Sequence, residues 1–139
     1  ERELSFTPYQ PAAEEEYMND AQLAHFRKIL LDWKEQLISE AESTKSYIQD
    51  ESTAMPDIND RATQEEEFAL ALRTRDRERK LIRKIDKSIA EIDSGDYGFC
   101  ETCGVEIGLR RLEARPTATQ CIDCKTLSEI KEKQAWGHA

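Results

Sequence analysis

The stretch CETCGVEIGLRRLEARPTATQCIDC, residues 100–124, carries all four cysteines of this 139-residue chain. They form two Cys-x-x-Cys pairs, Cys100 with Cys103 and Cys121 with Cys124. Each pair supplies two sulfurs from a tight turn, and the intervening loop returns the second pair to the first, which suits a closed tetrahedral Zn²⁺ site. Because sulfur fills all four positions, no coordination site stays open for water or substrate. The sequence therefore predicts a structural zinc ion rather than a catalytic one.

Two other uses of the cysteines remain open from the sequence. Two disulfides would require an oxidising compartment, and nothing in the chain resembles a secretory leader. A redox-active pair would require a strand and a helix around one Cys-x-x-Cys motif, whereas these two pairs are matched in the manner of ligand pairs. We therefore favour zinc, and we expect a cytoplasmic protein.

The composition limits how the chain can fold. Charged residues make up 35% of it and hydrophobic residues only 38%, which is thin for a single large globular core. The apolar side chains are therefore expected in narrow seams of an elongated protein, with metal holding the small cysteine-rich region together. No run of about 18 apolar residues is present, so no segment is expected to span a membrane.

Charge is unevenly distributed along the chain. The net charge of -9 argues against general affinity for nucleic-acid backbones, since clustered Lys and Arg supply that attraction. Residues 50–67 hold seven acids and one arginine, and residues 73–87 hold eight bases and three acids. An acidic segment is therefore followed directly by a basic one.

A long helix is predicted from about Ala21 to about Thr53. Asn19 can cap its start, with Gln22 three positions later as its partner in a capping box. Seam residues then recur at alternating steps of three and four, the spacing that keeps one face against a partner helix. They are Leu23, Phe26, Leu30, Trp33, Leu37, Ala41, Thr44 and Ile48, and Trp33 is expected in the core.

A second helix is predicted from about Arg61 to about Asp93, after an interruption at Pro56. Proline disfavours helical geometry in the residue before it and cannot donate to the helix. Asp60 is the predicted cap of the second helix. Its predicted seam is Phe68, Leu72, Arg75, Arg79, Ile82, Ile85, Ile89 and Ile92, with the two arginines weakening the middle.

The short connection between these helices makes them antiparallel, so their seams can close into a hairpin. Roughly 33 residues at 1.5 Å each give arms about 50 Å long. Pairing within one chain is the cheaper closure of the loop, so a monomer is expected. The predicted fold is all-α, a long antiparallel two-helix coiled-coil hairpin with a small four-cysteine zinc-binding globular module and a C-terminal helix.

Four segments follow from these patterns. They are an N-terminal arm in a globular base (1–18), the coiled coil (19–94) with its tip at 55–62, the zinc module (95–125), and the C-terminal helix and tail (126–139). An acidic loop between helices is usually solvated surface. Like charges at the end of a long hairpin, however, repel one another without structural benefit, which suggests that the tip contacts a partner.

An ordered set of motifs within residues 16–134 resembles the DksA branch of the DksA/TraR transcription factors. The motifs are DINDRA (57–62), QEEEF (64–68), RDRERKL (75–81), CETCG (100–104), RRLEARP (110–116) and CIDCK (121–125). Any one of them is modest evidence, whereas the ordered set is highly specific.

The resemblance implies a bacterial protein that binds RNA polymerase without binding DNA. Its coiled-coil tip would enter the secondary channel toward the active site, destabilise open complexes and cooperate with the alarmone ppGpp in the stringent response. On this basis Asp57, Asp60 and Ala62 match the tip residues. Arg77 matches the basic residue of the coiled coil that contacts the rim helices of the polymerase.

The resemblance also implies that Lys84, Arg115 and Lys125 line a ppGpp site shared with the polymerase. Such side chains can hold phosphates as bidentate or point-charge partners. The alternative is structural, because four thiolates around one Zn²⁺ leave excess negative charge that Lys125 and nearby arginines could neutralise. Gln120, directly before the third cysteine, departs from the resemblance, since the family often has an apolar residue there.

Other functions remain open from the residues alone. A transcript-cleavage factor would use tip carboxylates to complete the shell of a second catalytic metal. A zinc ribbon that binds nucleic acid would use Arg110 and Arg111, although few bases and many acids surround them. A purely structural adaptor would not depend on its tip.

The chain is not expected to be an enzyme, because no serine–histidine pair or glycine-rich phosphate loop is present. His25 and His138 are expected at a helix surface and in the tail rather than at the metal, since the sulfurs already complete the site.

Overall fold

A computed structural model of the protein describes residues 7–11, 14–50 and 58–137. They form four helices, α1 (Asp20–Asp50), α2 (Ile58–Ser94), α3 (Leu109–Ala114) and α4 (Ile122–Gly137). Within these ranges no strand is formed, and a single antiparallel bridge joins Phe99 and Glu106. The all-α prediction is confirmed.

The boundary of α2 differs from the prediction. The helix begins at Ile58 rather than near Arg61, so Asp60 lies in its first turn and does not cap it. A proline restricts the residue before it but is compatible with a helix that starts two residues after it. Residues 55–57 of the predicted tip, and residues 51–53 of the first predicted helix, lie outside the described residues.

The chain divides into two compact units, one of residues 31–86 and one of residues 1–30 together with 87–139. In the first unit, Lys34 Nζ of α1 pairs with Asp86 Oδ1 of α2 at 2.6 Å. Further along α1, the Tyr47 hydroxyl donates to Glu67 Oε2 at 3.0 Å. Later residues of α1 therefore meet earlier residues of α2, which is the predicted antiparallel hairpin.

The seam of α1 is the predicted one. Leu37 is buried, and Trp33, Ala41, Thr44 and Ile48 are half-buried in a repeat of three and four residues. One face of the helix is thus covered along its length, as expected for a helix pair.

The middle of the α2 seam is one residue away from its predicted position. Arg79 and Leu72 are exposed, whereas the neighbouring Glu78 is buried. A covered row runs through Ala71, Thr74, Glu78, Leu81 and Ile85 at steps of three and four, and the predicted Arg75 and Ile82 beside it are half-buried. Full burial would remove an arginine's charge from water, so Arg75 is only half-buried and Arg79 is exposed.

The other unit contains the start of α1, the end of α2 and the whole cysteine-rich region. Its fully buried side chains include Tyr97, Phe26, Leu30, Leu112 and Pro116. The rings of Phe26 and Tyr97 lie 5.8 Å apart, and the Tyr97 hydroxyl donates to the Pro116 carbonyl at 2.7 Å. This core joins α1 and the turn after α2 to the loop between the two cysteine pairs.

The predicted cap of α1 is confirmed. The Gln22 N–H donates to Asn19 Oδ1 at 2.9 Å, and the Gln22 side chain accepts from the Met18 N–H at 2.7 Å. Asn19 thereby satisfies one otherwise unpaired donor of the first turn, and Gln22 reaches back to Met18 rather than to the Asn19 N–H of a strict capping box.

The residues before α1 pack against the loops on either side of the first cysteine pair. The Tyr17 hydroxyl donates to the Gly98 carbonyl at 2.7 Å and accepts from the Gly108 N–H at 3.0 Å. A side chain at Gly98 would meet Met18 at 2.8 Å, and its φ of +91° also favours glycine. No helix in the described ranges is both long and apolar enough to cross a bilayer.

Candidate metal centre

The first cysteine pair lies in a tight turn. The Gly104 N–H donates to the Cys100 carbonyl at 2.9 Å, and the Cys100 N–H donates to the Val105 carbonyl at 2.8 Å. Gly104 has a φ of +79°, a conformation that a glycine adopts without strain. The turn aims the sulfurs of Cys100 and Cys103 in one direction.

The second pair is built on the start of α4. Cys121 directly precedes the helix, and its sulfur accepts from the Cys124 N–H at 3.4 Å. The Lys125 N–H donates to the Cys121 carbonyl at 3.0 Å. The partial positive charge at the start of a helix favours thiolates at this position.

The two pairs meet in one cluster. All four sulfur atoms lie within 4.8 Å of one another, and the sulfurs of Cys103 and Cys121 are 3.7 Å apart. Zinc–sulfur bonds of about 2.3 Å in a tetrahedron separate the sulfurs by about 3.8 Å, so the cluster has the size that Zn²⁺ requires. Cys100 and Cys121 are buried, Cys124 is half-buried and Cys103 is exposed, so protein encloses the cluster on most sides.

The thiols of the cluster differ in acidity. Burial raises the pKa of Cys100, but backbone hydrogen bonds at Cys121, Cys103 and Thr102 outweigh burial and lower this pKa to about 6. Side-chain hydrogen bonds to Cys121 and Cys103 raise the pKa of Cys124 to about 12. Four thiolates this close repel one another, so a cation is needed for all four to be deprotonated together.

His25 does not belong to this cluster. Its ring lies 5.4 Å from the ring of Tyr9 and 5.1 Å from that of Phe26. Of the described residues, only the four cysteines form a group able to hold a metal ion. His138 lies outside those residues.

The chain is similar to known proteins over nearly its whole length. The family model of the DnaK suppressor protein DksA, N-terminal domain, matches residues 22–92. That of the prokaryotic dksA/traR C4-type zinc finger matches residues 95–129. The RNA polymerase-binding transcription factor DksA of Escherichia coli (strain K12) is 62% identical over 130 residues, which cover 94% of this chain and 86% of the relative. The chain belongs to the DksA family.

Two further DksA relatives support the same family assignment. The RNA polymerase-binding transcription factor DksA of Haemophilus influenzae is 61% identical over 130 residues, covering 94% of this chain and 90% of the relative. The solved structure of transcription factor DksA2 from Pseudomonas aeruginosa is similar with a TM-score of 0.80 and 40% identity, covering 89% of this chain and 94% of that one. Together with the sulfur geometry, the zinc-finger match shows that the four cysteines form a structural zinc site.

The other residues that the DksA resemblance singles out lie on several elements. Ala62, Arg77 and Lys84 are exposed on α2, and Asp60 lies in the first turn of that helix. Asp57 lies outside the described residues. The remaining two residues belong to the unit with the zinc site, Arg115 exposed after α3 and Lys125 half-buried near the start of α4.

The sequence pattern gives no sign of a set of hydrogen bonds around the zinc site. The Gln120 side chain donates to Thr102 and Ser128, and its carbonyl accepts from Arg111. The Glu101 N–H donates to the Thr119 carbonyl at 2.8 Å. These partners are far apart in the sequence and none of them is a metal ligand, so no spacing rule identifies them.

Proposed function

We propose that this protein is a non-enzymatic regulator of transcription that binds RNA polymerase through its secondary channel. It does so without binding DNA, alters the stability of open complexes and acts together with ppGpp in the stringent response. The observation that carries the proposal is the identity of 62% over 94% of the chain with a relative named as an RNA polymerase-binding transcription factor. The relatives described above are named as transcription factors rather than as enzymes.

The hairpin offers a way to reach a recessed site. Its two helices run antiparallel, and the acidic segment 50–67 includes the end of α1 and the start of α2. In the proposal, Asp57, Asp60 and Ala62 act at this tip on the conformational balance of the polymerase. Ala62 is exposed, which supports a direct contact.

A basic stripe on α2 supports a contact with an acidic partner surface. Arg73, Arg77, Lys80 and Lys84 are all exposed and recur at steps of four, three and four, so they share one face of the helix. In the proposal, Arg77 binds the rim of the channel. The overall charge of -9 disfavours DNA as the partner of this stripe.

The ppGpp contacts are proposed for Lys84, Arg115 and Lys125. Lys84 and Arg115 are exposed, and none of the three residues belongs to an ion pair within the described part of the chain. Their charges are therefore available for phosphate oxygens at a shared interface. Lys125, directly after a zinc ligand, can also offset the negative charge of the thiolates.

Competition for purified RNA polymerase tests the binding mode. We expect the protein to be displaced by a transcript-cleavage factor that occupies the secondary channel, and Arg77→Ala to weaken binding by about fivefold or more. Lys28→Ala, which removes an exposed base of α1 outside the basic stripe and the acidic segment, serves as the control. Simultaneous binding of both factors would contradict the proposal.

Transcript cleavage separates this function from the nearest alternative. Stalled elongation complexes should show no cleavage stimulated by the protein. Strong stimulation that Asp57→Asn or Asp60→Asn abolishes would identify a cleavage factor instead.

A variant of Lys125 tests the proposed ppGpp contacts. Lys125→Ala should abolish the increase in regulatory effect that ppGpp causes at a responsive promoter, while zinc content stays at one ion per chain. An unchanged response to ppGpp would contradict this assignment.

A further inference from the structure

Gln120 joins three separate elements around the zinc site. Its side-chain Nε2 donates to Thr102 Oγ1 at 3.1 Å and to Ser128 Oγ at 3.3 Å. Its main-chain carbonyl accepts from Arg111 Nε at 3.0 Å. One residue thereby links the first cysteine turn, helix α4 and helix α3.

These bonds lie next to the metal ligands. Thr102 directly precedes Cys103, and Gln120 directly precedes Cys121. The sulfurs of these two cysteines are 3.7 Å apart across the cluster. The bond between the Gln120 and Thr102 side chains therefore connects the two cysteine pairs at the point where they meet.

A neighbouring contact strengthens this connection. The Glu101 N–H donates to the Thr119 carbonyl at 2.8 Å, and Lys87 Nζ lies 3.5 Å from Glu101 Oε2. Residues 101–102 and 119–120 thus run side by side, with main-chain and side-chain bonds between them. The bonds of Gln120 continue from there to α3 and α4.

We propose that Gln120 is a positioning residue that holds the two cysteine pairs together and slows the loss of zinc. The metal–sulfur bonds fix each sulfur only while zinc is bound. When one bond opens, the Gln120 clamp, defined as Gln120 with Thr102, Ser128 and Arg111, keeps the freed sulfur near the metal and favours rebinding. An apolar residue at this position would keep the main-chain bond to Arg111 but would lose the side-chain bonds to Thr102 and Ser128.

Zinc release from the full-length protein tests the proposal. Gln120→Leu keeps most of the side-chain volume but removes the amide, and we expect it to release zinc to a chromogenic chelator about tenfold faster than the wild type. Gln134→Leu is the matched control, since Gln134 is exposed on α4, and it should release zinc at the wild-type rate.

A second pair of variants isolates the hydrogen bond from general destabilisation. Thr102→Val removes the hydroxyl at nearly constant volume and should accelerate release about threefold, whereas Thr102→Ser keeps the hydroxyl and should restore the wild-type rate. Cobalt-substituted protein provides a spectroscopic readout, because a displaced sulfur changes the tetrahedral ligand-field bands. Equal release rates for the wild type, Gln120→Leu and Thr102→Val would overturn the proposal, as would equal rates for Thr102→Val and Thr102→Ser.

Discussion

At the scale of single residues, Tyr17 shows how the segment before α1 is fixed. Its hydroxyl bonds to both Gly98 and Gly108, and its ring lies 5.5 Å from that of Phe99 in an edge-on arrangement. Burial raises the pKa of Tyr17 and outweighs the backbone hydrogen bond from Gly108, which lowers it. A single side chain therefore fastens the start of α1 to both flanks of the first cysteine pair.

Tyr17→Phe is expected to lower the free energy of unfolding by about 1–2 kcal/mol, because two backbone groups lose their shared partner. Denaturant unfolding followed by circular dichroism measures the change. Tyr47→Phe removes an exposed hydrogen bond and should have less than half this effect. Equal losses for the two variants would contradict the role assigned to Tyr17.

At the scale of elements, the hairpin contains a polar position within its seam. Glu78 is only 7% exposed, and its Oε1 has no hydrogen-bond partner among the residues that the structure describes. Its neighbours in the seam of α2 are Thr74 and Leu81, both half-buried. A carboxyl group in such a place weakens the pairing of two helices.

Glu78→Leu is expected to raise the free energy of unfolding by about 1–2 kcal/mol, because an apolar side chain replaces a buried group with an unsatisfied oxygen. The midpoint of thermal unfolding should rise accordingly. Glu66→Leu is the control, since Glu66 is exposed on the same helix and offers no such gain. A lower midpoint for Glu78→Leu would show that this carboxylate stabilises the hairpin.

The same element shows why parts of the structure could be predicted and others could not. The α1 seam was predicted because apolar side chains occupy most of its positions. In α2 the covered row passes through Ala71, Thr74 and Glu78, which are small or polar. The apolar Leu72 therefore placed the predicted seam on the adjacent face of the helix. The cysteine spacing predicted all four zinc ligands, whereas the contacts of Gln120 depend on tertiary structure.

At the scale of the whole molecule, the zinc site and the hairpin have different sources of stability. The hairpin has a continuous seam, with Leu37 and Ile85 buried in the unit of residues 31–86. The other unit is loop-rich around its cysteines, and its core centres on Tyr97. Zinc is therefore expected to contribute more to the stability of that unit than to the stability of the hairpin.

Removal of zinc by a chelator under reducing conditions should abolish the near-ultraviolet signal of the packed tyrosines. The far-ultraviolet helical signal should fall much less, because most helical residues belong to α1 and α2. Returning Zn²⁺ should restore both signals. A complete loss of helical signal together with zinc would show that the hairpin also depends on the metal.

In the proposed function, the acidic tip of the hairpin acts on the open complex while other residues hold the protein on RNA polymerase. The most direct measurement is the lifetime of the open complex at a ribosomal promoter, with Asp60→Asn and with the wild type. Binding of each protein to the polymerase is measured in parallel at the same polymerase concentrations. We expect Asp60→Asn to bind within about twofold of the wild type and to lose the ability to shorten that lifetime. A variant that binds normally and still shortens the lifetime as the wild type does would contradict the account.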